Sequence, residues 1–158
     1  MVGDDMKKCT KYFLLLTLAL AITEMFNGVI VFGFNKFLDV KGEFVSVCVS
    51  LILYFIFGKV FFSRITDNKS FNKSVIYVAI MIVISYIVSL LLTVLTGGYF
   101  LFHMAICSPV GNLLAYPFSE ISGLYELLLF IFSPISVLLI WLFSKIGDRK
   151  KNQSDLDI

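Results

Sequence analysis

The sequence predicts an all-α integral membrane protein: a bundle of four transmembrane helices with an interfacial or re-entrant segment between the third and the fourth. Three observations predict it. Of the 158 residues, 59% are hydrophobic and only 15% are charged, against about 25% charged in a soluble domain of ordinary composition. Mean hydropathy is +0.94, so polar surface is too scarce to cover a core in water. Four apolar runs also reach the roughly 20 residues that a helix rising about 1.5 Å per residue needs to cross a hydrocarbon core of about 30 Å. Finally, the basic residues collect in alternate connections between those runs.

The runs cover residues 12–34, 44–62, 75–96 and 124–143. Their only internal basic residue is Lys59, near the end of the second, where its long stem can snorkel to the interface. A fifth stretch, 99–118, is apolar and long enough to span, but it holds His103, Pro109, Gly111, Asn112 and Pro117. Proline removes a backbone donor and clashes with the preceding turn, and freed backbone groups lack partners in lipid. This stretch is therefore expected to lie at the interface or to re-enter rather than to cross. The fourth run contains Pro134 between Ser133 and Ser136, which predicts a kink.

Charge orients the bundle. Lys7, Lys8 and Lys11 precede the first run; Lys59, Arg64, Lys69 and Lys73 lie around the second connection; Lys145, Arg149, Lys150 and Lys151 follow the fourth run. Eleven of the 13 basic residues thus fall on one side of a four-span chain. Basic residues favour the cytoplasmic side, which places both termini in the cytoplasm of a cell-membrane protein. A fifth crossing would put the basic tail outside. A competing reading takes the early lysines and Ala19-Leu20-Ala21 as a cleavable signal, but apolar sequence continues for about a dozen residues beyond that point. Residues 1–147 are read as one polytopic membrane domain and 148–158 as a charged cytoplasmic tail, expected to be disordered.

Within the spans, Glu24 stands out. An acid near the middle of a span costs about 2.5–3.5 kcal/mol on insertion scales, and no Lys or Arg lies at its depth. It is expected to be neutral, or bonded to hydroxyls or a water-filled cavity, as a proton or cation site or as a packing contact. Asn27 lies one turn on. Thr17, Ala21, Glu24 and Gly28 follow a four-three-four spacing that predicts one inward face, since small residues let helices approach closely in lipid. Ser46, Ser50, Tyr54 and Gly58 form a looser row on the second span; Ser85, Ser89, Thr93 and Thr96 line one side of the third. Glu120 and Glu126, before and at the start of the fourth span, are read as reaching headgroup water. Trp141 is read as an interfacial anchor.

Other classes find little support. A net charge of +2 with no basic groove argues against nucleic acid. There is no HExxH, GxSxG or P-loop sequence, and His103 is the only histidine, so neither a catalytic triad nor a metal site is expected. Cys9, Cys48 and Cys107 form no CxxC pair and read as small apolar fillers. No cofactor is expected. The 17 Phe residues and the preference for Lys over Arg point to an AT-rich, bacterial genome.

By elimination, the expected function is non-catalytic and works through helix–helix contacts, as an accessory, assembly or immunity-type protein. Its partners would be the lipid bilayer and another membrane protein or a second copy of itself. The alternative is a small oligomeric proton-coupled transporter or channel using Glu24. Four spans with one acid in the first resemble the small multidrug resistance transporters, and that resemblance implies proton–drug exchange at Glu24. It covers only the architecture and this residue. The surrounding Ile22-Thr-Glu24-Met-Phe-Asn27, the outer segment and the strong charge bias all depart from the family's pattern.

Overall fold

A computed structural model describes residues 2–37, 42–65, 67–96 and 109–154, and no strand occurs among them. The described residues are helical throughout apart from short turns, and among them four helical stretches are long and apolar enough to cross a membrane: Asp4–Val29, Val45–Arg64, Asn68–Leu95 and Gly123–Ile146.

Helix α1 spans Val2–Phe37, with Asp4 and Asp5 in its first turn, where carboxylates complement the helix dipole. It begins ten residues before the apolar run, where Met6, Lys7, Lys8 and Lys11 are good helix formers. Helix α2, Gly42–Ile56, continues through a π-helical turn, Phe57–Phe61, and a 3-10 turn, Phe62–Arg64.

Helix α3, Asn68–Leu95, starts seven residues ahead of its apolar run. Asp67 caps it: Oδ1 accepts from the Ser70 amide at 3.1 Å, and Oδ2 accepts from the Ser70 hydroxyl at 2.9 Å. The connection before α3 is therefore shorter than the sequence suggests.

Of the segment 99–118, residues 99–108, including His103 and Cys107, lie outside the described residues. The remainder forms a short helix α4, Pro109–Ala115, and a 3-10 turn, Tyr116–Phe118. Pro109 opens α4, a position that needs no backbone donor. Gly111 and Ala115 are buried, and α4 packs on α2 and on the helix that follows it.

The last apolar run is broken into α5, Ser122–Phe132, and α6, Ile135–Ser154, with Ser133 and Pro134 in a turn between them. Pro134 cannot donate to the Phe130 carbonyl, one helical turn back. The Ser133 hydroxyl donates to that carbonyl instead, at 2.9 Å. Helix α6 continues through residues 148–154, the first part of the tail read from sequence as disordered.

Packing divides the bundle into two ends. At the end bearing both termini, Leu16 and Leu20 of α1, Tyr54, Phe62, Val78 and Ile140 belong to one apolar core. Phe71 stacks on Phe62 with ring centroids 5.4 Å apart and meets Tyr12 edge-on at 6.1 Å. Polar ties close this end. Ser74 Oγ lies 2.8 Å from the Cys9 carbonyl oxygen, Trp141 Nε1 donates to Asn72 Oδ1 at 2.9 Å, and Lys145 donates to Asn68. At the opposite end, a smaller cluster joins Tyr86, Ala115 and Leu129.

Candidate functional site

Glu24 lies in the second half of α1 and is half-buried. Its position is set by the residues around it. Leu16, Ala19, Leu20, Thr23 and Asn27 are buried and form the face of α1 that packs inward. Glu24 sits at the edge of that face, and its carboxyl comes near the Asn27 side chain. The Asn27 Nδ2 group nonetheless has no hydrogen-bond partner among the described residues.

Asn27 makes a polar contact between α1 and α2. Its Oδ1 lies 3.0 Å from Ser50 Oγ, and that hydroxyl also lies 2.7 Å from the Ser46 carbonyl oxygen, its one proton serving two acceptors. Ser46 Oγ is buried and, among the described residues, unpartnered.

The row Thr17, Ala21, Glu24 and Gly28 is not the face that α1 packs against the rest of the chain. Ala21 and Gly28 are exposed, Thr17 is half-buried, and a β-carbon built on Gly28 would meet nothing within 4 Å. The inward face lies about a third of a turn away around the helix. Asn27 needs a polar partner and finds Ser50, while Leu16 and Leu20 fill the core; together they set the rotation of α1, and the small residues are left outside.

Ser46, Ser50 and Tyr54 on α2 and Gly58 in the π-helical turn are all buried. On α3, Ser89 is buried, whereas Ser85, Thr93 and Thr96 are half-buried. Most threonine hydroxyls bond within their own helix, as Thr23 does to the Ala19 carbonyl at 2.9 Å and Thr93 to the Ser89 carbonyl at 2.9 Å.

One contact is absent from the sequence reading. Glu126, assigned there to headgroup water, accepts a hydrogen bond from Tyr86 at 2.8 Å through Oε2. The phenol of Tyr86, inside an apolar run, was the available signal, because a buried tyrosine hydroxyl needs a partner. Its partner is 40 residues away in sequence, beyond the reach of local pattern.

Among the described residues, no group of three His, Cys, Asp or Glu side chains could hold a metal ion, and Cys9 and Cys48 are free thiols. No protein-family model, no curated protein and no solved structure matches this chain. What the fold and the site define is a class: a helical chain with four membrane-length apolar stretches among its described residues, in which half-buried Glu24 lies beside an amide–hydroxyl contact.

Proposed function

We propose that the chain is a multi-pass protein of the cell membrane that performs no catalysis and acts by seating another membrane helix against the face of α1 formed by Ala21, Glu24 and Gly28. The carrying observation is the exposure of Ala21 and Gly28 on either side of a half-buried acid. An ionisable group at membrane depth is costly unless a neighbour satisfies it, and flanking small residues allow close approach of a second helix. The placement of 11 of 13 basic residues on one side supports cytoplasmic termini.

Photo-crosslinking in intact membranes tests this. A photoreactive residue at Gly28 should trap a discrete protein adduct, whereas one at Leu91, exposed on α3, should not. Absence of a protein adduct at both Ala21 and Gly28 would sink the reading.

A second reading, proton-coupled transport through Glu24, is favoured by the buried Asn27 Nδ2 beside it, a polar group with no hydrogen-bond partner among the described residues. Unchanged solute flux in Glu24→Gln vesicles would remove it.

A further inference from the structure

A third face of α1 carries Lys11, Leu15, Leu18 and Ile22, again at four-three-four spacing. It forms one wall of an open groove of about 500 Å³, whose other wall is the π-helical turn, with Phe57 and Phe61. Arg64 joins Lys11 at the end of the groove nearest the termini, and the deep end is apolar. Among the described residues neither cation takes part in an ion pair; the one such bridge joins Lys8 to Asp67.

We propose that this groove binds one anionic phospholipid of the bilayer, with an acyl chain along the apolar walls and the phosphate held by Lys11 and Arg64. Three observations fit this occupant. The volume lies within the roughly 300–1,000 Å³ of small-ligand sites. From Lys11 to Ile22 the helix rises about 16 Å, close to half of a hydrocarbon core of about 30 Å, the depth of one leaflet. The charge lies only at the end where a headgroup would sit: a guanidinium offers paired donors to phosphate oxygens, and a lysine can reach the interface on its flexible stem. The inference rests on the membrane reading of the chain, but not on a partner helix at Glu24, which lies on another face of α1.

The test is native mass spectrometry of the full chain in mild detergent, with equimolar phosphatidylglycerol and phosphatidylcholine of identical acyl chains. One bound phosphatidylglycerol is expected, preferred on the order of tenfold. The double variant Lys11→Gln, Arg64→Gln should bring the preference near parity. The control Lys69→Gln, Lys73→Gln, equal in charge change at the same end, should keep it. Leu18→Trp, which fills the groove, should lower binding of both lipids. Equal binding of the two lipids by the unaltered chain, or a preference surviving in the first double variant, would overturn the proposal. So would a dimer of the chain that Leu18→Trp dissociates, since the groove would then hold a second copy. Release of the chain from membranes by alkaline washing would overturn the membrane reading and this proposal with it; retention with equal lipid binding would overturn this proposal alone.

Discussion

Gly58 stands against the main chain of Ile140: a β-carbon at position 58 would lie 2.6 Å from the Ile140 carbonyl oxygen and 2.6 Å from the Phe143 β-carbon. Backbone cannot swing aside as a side-chain tip can, so relief requires α6 and the π-helical turn to part. Gly58→Ala should therefore destabilise the chain by about 1–3 kcal/mol, the usual cost of overpacking. At about 2–4 °C per kcal/mol for a chain of this size, a thermal melt in detergent resolves it. An unchanged Tm would mean that the close approach is not maintained in solution.

Ser133 and Pro134 act as a pair on the Phe130 carbonyl. Pro134 takes away the amide that would bond it, and the Ser133 hydroxyl, 2.9 Å away, replaces that donor. Ser133→Ala should cost about 1–3 kcal/mol by leaving a carbonyl unsatisfied in an apolar setting. Pro134→Ala restores the amide, so Ser133→Ala should cost much less in that background. Additive losses in the double variant would refute the coupling.

The Tyr86–Glu126 bond joins α3 to α5 at 2.8 Å. If it contributes as hydrogen bonds between membrane helices do, Tyr86→Phe should lower stability by about 0.6–2 kcal/mol. The removed atom is a single oxygen and the ring remains packed near Phe130, with centroids 5.9 Å apart. A neutral or stabilising Tyr86→Phe would show that apolar packing alone holds this end.

Asp67 carries a pH dependence. The hydrogen bonds from the Ser70 amide and hydroxyl, aided by the charge of Lys8, hold its carboxyl below the usual carboxylate range. A group depressed on folding contributes stability above its unfolded pKa and loses that contribution as pH falls through the folded value. Between about pH 6 and pH 3, which brackets the ordinary aspartate value, the unaltered chain should thus lose more Tm than Asp67→Asn. Asparagine keeps a capping oxygen without a charge, so parallel melting curves would deny the carboxylate this role.

The helix boundaries show where local sequence suffices and where it does not. Asp67 is a capping residue followed three positions later by Ser70, and that signal lies inside the chain segment it governs. The apolar run begins eight residues after Asp67, so apolarity alone does not mark where this helix starts. The break at Pro134 was legible for the same local reason. The rotation of α1 was not. Three four-three-four rows run along it: Thr17, Ala21, Glu24 and Gly28; Lys11, Leu15, Leu18 and Ile22; and Leu16, Leu20, Thr23 and Asn27, of which only the last is the buried face. The Asn27–Ser50 contact, between residues 23 apart, and the core packing of Leu16 and Leu20 select that face.

The sequence by itself determined the helical class, the number of membrane-length helices and the positions of the basic clusters, because apolar length and charge are properties of single segments that need no partner to be counted. The tertiary structure decided which side of each helix turns inward, that Gly58 meets the Ile140 backbone, that Tyr86 finds Glu126, and that Lys11 and Arg64 share one groove. On the proposed membrane reading, the reason is the solvent. In water, apolarity marks the buried face of a helix; between lipid and a packed bundle both sides are apolar, so orientation is left to hydrogen bonds and close contacts between residues distant in the chain.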